Sequence, residues 1–543
     1  MGFFMFSYLG GGARMNGLLP MFKALIAALL IIATSGHAQT ASETAAFKRA
    51  TAEMMAGDWA RAASWADRSG PVARDIIEWH RLRSGRGSWA EASAFLERRS
   101  DWPGLKLLRR KTEIRLPIGR NSQEVLDFFA DQPPQTGYGA RALIAAHRAL
   151  GNVVAAEDEA VLAWRTRIMN SDDEEALLSV YGSLLKDHHE ARLDMLLWRG
   201  ATRGAERMLP RVSKGWQALA KARMALRVNA KGVDTLIEAI PKALQADPGL
   251  AFERMQWRAR KGRSEDAIEV MLAAGEDTLG RPERWAGWRR SFARAEMRAG
   301  RIGRAYRLAS MHGLTEGSHF ADLEWLAGYL ALTYMEDGEK ALTHFLHFRG
   351  AVETPISLGR AGYWEGRAHE LLGDAENARL AYAFGAEYQT SFYGLLAAER
   401  LGRAKDPALA GRQVYPPLGE TSFAERSVFK AVQLFIATGQ RNLAEQFTRH
   451  MAETLPADEI GALGDYVLAK NEPHLAVMIG KQAARRGIVV ARAYYPVASL
   501  GVMHMPVPHE LALAIARRES EFDPEVTSGA GARGLMQLMP GTA

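Results

Sequence analysis

Cysteine is absent from all 543 residues. That excludes disulfides, thiolate nucleophiles and cysteine-ligated metals, and with them a lipid anchor on a cysteine after an export signal. Runs of β-branched residues are scarce, which argues against a sheet-based core. No recognition helix, zinc finger or aromatic RNA-binding motif is present, so nucleic acid falls behind other anionic partners.

The residues that are abundant form helices. Ala, Leu, Arg and Glu recur at three- and four-residue spacing, and 48% of residues are hydrophobic, ample for a core. An almost all-α protein is expected. The formal charge of +7 and a pI near 9.4 favour an acidic polymer or an anionic surface as partner. An arginine-rich solvated surface would give the same balance.

Lys23 precedes a ten-residue apolar run, Ala24 to Ala33, and Thr34-Ser35-Gly36-His37-Ala38 comes next. The run is far shorter than the roughly 18–20 residues that span a bilayer. Small residues at Gly36 and Ala38 suit cleavage before Gln39. A cleavable signal, periplasmic export and no membrane anchor after cleavage are expected.

From Glu43 to Gly487 a glycine turn repeatedly precedes a small-residue helix: Gly57-Asp58-Trp59-Ala60, Gly87-Ser88-Trp89-Ala90, Gly338-Glu339-Lys340-Ala341, Gly373-Asp374-Ala375-Glu376 and Gly439-Gln440-Arg441-Asn442. Gly262, Gly300, Gly338 and Gly373 are spaced by 38, 38 and 35 residues. Such periods belong to stacked helix pairs, here a degenerate superhelix of hairpins. Trp59, Trp65, Trp79, Trp89 and Trp102 read as core more readily than as sugar-stacking platforms. Three prolines, Pro407, Pro416 and Pro417, mark a linker, and Pro496, Pro506 and Pro508 mark a second junction.

Three patterns are decoys. Gly529 to Gly534 matches GxGxxG, but a helix and Asp523-Pro524 precede it, and Pro540 interrupts the chain soon after it. His369-Glu370 and His509-Glu510 lack the second histidine of a zincin helix, and His188-His189-Glu190 lacks a third ligand. Neither a metal nor another cofactor is expected.

The terminal segment carries the chemistry. A helix is predicted from Pro508 to about Phe522, with Leu511, Ile515 and Phe522 as its apolar face. Glu519 falls at the flank of that face. Partial burial there favours the neutral acid, which can protonate a leaving oxygen, although a pairing with Arg518 would instead keep it ionised. Glu521 is expected to be solvated and near Arg517. Thr527 to Gly534 forms a small polar turn, and a short helix over residues 535–539 comes after it. There Gln537 offers an amide to a sugar and Met539 a soft apolar contact.

Ile515-Ala516-Arg517-Arg518-Glu519-Ser520, then Ser528 and Gly531-Ala532-Arg533-Gly534-Leu535-Met536-Gln537-Leu538-Met539-Pro540-Gly541-Thr542-Ala543, closely resembles the soluble lytic murein transglycosylases. Ala361–Ala368 and Ser391–Ala398 extend the likeness more loosely. The resemblance implies a horseshoe of helices, a small linker domain and a goose-type lysozyme-like catalytic domain. The corresponding divisions here are 1–38 for the signal, 39–405, 406–490 and 491–543. It further implies Glu519 as sole catalytic acid/base and Ser528, Gln537 and Met539 as substrate-binding residues. The family's reaction cleaves the β-1,4 bond between N-acetylmuramic acid and N-acetylglucosamine without water, leaving a 1,6-anhydro end. Peptidoglycan strands are the implied partner, with cell-wall enzymes possible on the superhelical surface. The family's catalytic domain continues past the point where this sequence stops. Either a fragment or a truncated gene product, inactive alone, is therefore expected. A hydrolytic muramidase and a non-catalytic helical scaffold are the rival readings.

Overall fold

The computed structural model describes residues 40–500 and 506–542. The expected signal peptide lies outside the described residues. Among the described residues there are 28 α-helices and no strand. Only the isolated bridges Thr527–Arg533 and Arg533–Leu538 depart from helix and loop. The all-α expectation holds.

Local chemistry starts these helices. Thr40 and Glu43 form a reciprocal capping box at Ala41–Met55, and Ser88 and Glu91 do the same at Trp89–Arg98. At Gly57 and Gly373 the glycine takes positive φ and the next residue, an aspartate, caps the following helix. Gly338 breaks this pattern. There Glu336 takes the left-handed turn and Asp337 is the cap. Gly338 is already helical, in a position where a Cβ would lie 2.8 Å from Leu372. Its missing side chain serves close packing, not the turn.

Many helices pack against a neighbour in sequence, as in the pairs Ala41–Met55 with Trp59–Ser69, Gly317–Tyr334 with Gly338–Gly350 and Pro355–Leu371 with Ala375–Gly385. Between Arg400 and Ser427 only two short 3-10 turns interrupt the loop. The later helices then return to the first ones. Phe47, Trp79, Trp102, Phe429, Phe435 and Phe447 share one hydrophobic core, with Trp79 5.4 Å from Phe447, ring centre to ring centre. Trp102 Nε1 donates to Ser427 Oγ at 2.9 Å, and Arg426 pairs with Asp101 at 2.9 Å. Each such side chain, fully buried, contributes about 1.5–3 kcal/mol, enough to close the superhelix against the later block. Trp79 and Trp102 are thus core, Trp59 and Trp65 are half-buried at its margins, and Trp89 is half-buried against a separate cluster that includes Phe128.

No helix among the described residues is long and apolar enough to cross a membrane.

Candidate active site

The terminal helix runs from His509 to Glu519. Its buried row is Ala512, Ala516 and, just past its end, Ser520, which are 3%, 0% and 6% exposed. The row Leu511, Ile515 and Glu519 faces solvent instead. This reverses the face expected from hydrophobicity. Small residues face inward because the helix sits close against Val477 and the chain that doubles back beneath it. Glu519 is accordingly exposed, not partly buried, and it shares its row with two exposed aliphatic side chains. No ion pair to Arg518 or any other cation is found at Glu519 among the described residues.

The helix also ends three residues earlier than its sequence implies. Glu521 and Phe522 both take left-handed conformations, φ 55° and 63°, at a cost on the order of 1–3 kcal/mol each. The reversal sends Phe522 back under the helix, where it is 3% exposed and packs with Val477, Ala516, Leu535 and Met536. The expected Arg517–Glu521 pairing is absent because Glu521 has left the helical path. Glu521 pairs with Lys481. Arg517 instead donates to the Tyr494 carbonyl at 2.7 Å and lies 4.5 Å from the ring centres of both Tyr494 and Tyr495.

The glycine segment folds as linked turns. The expected short helix over 535–539 does not form: Gln537 takes φ 48°, and Arg533 and Leu538 pair through their backbones at 3.0 and 3.2 Å. Ser528 Oγ accepts from the Ala532 N–H at 3.0 Å. The Gln537 amide donates to the Val526 and Gly534 carbonyls, each at 3.1 Å. Both polar side chains therefore shape the turn, while Met539 is exposed. The Ser520 hydroxyl donates to the Leu535 carbonyl at 2.8 Å, with Ala516 O a second acceptor at 3.0 Å. It ties the turn to the helix end beside Glu519.

The preceding helical block forms the platform. His474, on Pro473–Ala484, reaches the Glu521 carbonyl at 3.0 Å through Nδ1 and Glu445 at 3.4 Å through Nε2. Burial alone would lower its pKa, but those two bonds and the carboxylates of Glu445 and Asp523 outweigh it and raise the value above 6.5. Arg441 lies 3.6 Å from Asp523 and 3.9 Å from Glu525. The contacts that seat the terminal segment on this platform span 40 or more positions in sequence, and no local motif announces them. The histidines set aside as decoys remain apart: His369 faces Asp374 at 3.4 Å, and His509 is exposed at the helix start.

The family model "Transglycosylase SLT domain" matches residues 504–543, the segment that carries this site. A putative soluble lytic murein transglycosylase of Haemophilus influenzae is 30% identical over 191 residues, 33% of this chain and 30% of that protein. The soluble lytic murein transglycosylase of Escherichia coli K12 is 60% identical over 37 residues, 7% of this chain and 6% of that one. The matches thus span less than a third of these curated relatives. The solved structure of an inactive mutant of the lytic transglycosylase Slt from Pseudomonas aeruginosa shares the fold with a TM-score of 0.60 at 18% identity, covering 92% of this chain and 80% of that one. The sequence matches converge on the terminal segment, which is similar to the SLT domain of soluble lytic murein transglycosylases, and the structural match shows that the helices before it share the fold.

Proposed function

We propose that this protein cleaves the MurNAc-β-1,4-GlcNAc bond of peptidoglycan without water, leaving 1,6-anhydro-MurNAc ends. The observation that carries this reading is Glu519 at the end of its helix, exposed in a row with Leu511 and Ile515 and braced by Ser520 against the glycine turn. A glycan or another wall laid over that row would desolvate the carboxyl and favour its neutral form. As the acid it protonates the leaving O4 oxygen. As the resulting carboxylate it takes the proton of the muramyl 6-hydroxyl, which closes onto C1. An intramolecular nucleophile removes the need for a second carboxylate and an activated water.

In this reading Ser528, Gln537 and Met539 line the same groove. Ser528 keeps its hydroxyl proton, and Gln537 its carbonyl oxygen, without a partner among the described residues, and Met539 adds an exposed apolar contact. The molecule is divided as signal peptide 1–38, superhelical domain 39–405, linker domain 406–490 and a lysozyme-like segment from 491. It is exported to the periplasm, where the basic charge favours attachment to murein. Partner enzymes bind through the superhelical surface.

The test is Glu519→Gln in the full-length product of the coding frame, assayed by mass spectrometry of digested murein. Loss of anhydro-muropeptides with the fold intact supports the reading. Reducing ends from the parent protein would make it a hydrolase, and murein binding with no cleavage by the parent would make it a scaffold.

A further inference from the structure

Far along the chain from the terminal segment, side chains from three successive elements converge on one carboxylate. Glu324 lies within Gly317–Tyr334 and is 4% exposed. His344 and His347 are one turn apart on the next helix, Gly338–Gly350. Their Nδ1 atoms lie 2.7 and 3.2 Å from the same oxygen, Glu324 Oε2. His312, from the loop before the Glu324 helix, meets the other oxygen, Oε1, at 2.8 Å. The proposed glycan chemistry uses none of these groups.

We propose that Glu324, His344 and His347 form a binding site for a zinc-class divalent transition metal. One carboxylate and two imidazoles are ligands suited to zinc and its first-row neighbours, whereas calcium and magnesium favour oxygen-only shells. The ligand atoms all lie within 4.8 Å of one another. Zinc bonds of about 2.0–2.1 Å place tetrahedral ligands roughly 3.3 Å apart. The separation at His347 is already 3.2 Å, and that at His344 need open only from 2.7 Å. The ring N–H protons of His344 and His347 point at Oε2, and the metal would take the place of both.

The surrounding bonds suit that exchange. His312 Nδ1 accepts the Leu314 N–H at 3.0 Å. Its proton is therefore assigned to Nε2, which donates to Oε1 and steadies the carboxylate with Oε2 directed at the other two rings. Tyr306 OH lies 2.9 Å from His344 Nε2. When Nδ1 gives up its proton to bind a metal, Nε2–H can donate to the phenol oxygen, the outer bond that orients a metal-bound imidazole. His347 is 56% exposed on its side chain, so the cluster opens to solvent there and leaves room for a water as fourth ligand. The ion would clamp two neighbouring helices of the superhelix. The ligands escape a sequence scan because Glu324 lies 20 positions from His344 and the histidines match no helical zinc motif.

The experiment uses the full chain without a histidine tag, stripped by chelation and titrated with zinc against a chromogenic chelator. Cobalt serves as the spectroscopic probe. One zinc per chain, a cobalt spectrum of the intense four-coordinate type, and a melting temperature that rises with zinc are expected. His344→Gln and the solvent-facing His347→Gln should each weaken zinc by about tenfold or more, and His450→Gln should not. Circular dichroism checks that each variant is folded. Less than one zinc per chain, or parental affinity in both His344→Gln and His347→Gln, would overturn the site and leave the cluster a buried carboxylate held by histidines.

Discussion

The Ser520 hydroxyl donates to the Leu535 carbonyl at 2.8 Å, across fifteen residues of chain. This one bond joins the end of the Glu519 helix to the glycine turn, and Ser520 itself is 6% exposed. The candidate acid and the turn that would line its groove are thereby a single mechanical unit.

Ser520→Ala should loosen that unit without unfolding the superhelix. Leaving the Leu535 carbonyl without its donor costs about 1–3 kcal/mol. Amide hydrogen exchange should quicken over residues 533–538 and stay unchanged in a core helix such as Ser427–Thr438. Unchanged exchange across the turn would show that the bond is not what holds it.

Glu519→Gln in the full-length product should lower anhydro-muropeptide release by about 10²–10⁴, with circular dichroism and murein binding preserved. Glu521→Gln should act differently, weakening the contact with Lys481 and thus the docking of the segment, with a much smaller effect on turnover. Equal loss in both variants would remove Glu519 from the acid/base role.

The docking of the terminal segment should depend on pH through His474. Its pKa in the folded state is raised above 6.5 because, although burial opposes the charge, Glu445 and the Glu521 carbonyl hold the proton. The stabilisation is therefore complete below about 6.5, the unfolded value, and is lost as pH rises through the higher folded value. Hydrogen-exchange protection over 509–542, taken relative to the intrinsic rate at each pH, should be greater at the acid end of that window than above it. His474→Gln should flatten the dependence.

Trp102→Phe should weaken the closure of the superhelix. The indole is 1% exposed and donates to Ser427 at 2.9 Å. Losing the donor and leaving a void should cost about 1–3 kcal/mol, read as a lower melting temperature with the helical content unchanged.

The exported protein should begin near Gln39. Amino-terminal sequencing of periplasmic material checks this, and a retained, membrane-bound start would reject export by cleavage.

Helical composition, capping residues and glycine spacing were enough to read an all-α superhelix, because these signals act within a few residues. The dense run from Ile515 to Thr542 marked the candidate site for the same reason. Which face of the last helix is buried was not legible. Hydrophobicity pointed to Leu511 and Ile515, but the helix buries Ala512, Ala516 and Ser520, with Ala516 in one cluster with Val477, and close approach favours small side chains over greasy ones. The early end at Glu519 was also hidden, since Phe522 must reverse the chain to reach a pocket built by another block. The sequence alone thus determined the helices, their order and the residues that could do chemistry. Tertiary structure decided that the first helices close against the late block, that Lys481 and His474 receive Glu521, and that Glu519 faces outward. Those outcomes rest on contacts between residues 40 to several hundred positions apart, whose free energy exists only once the chain has folded.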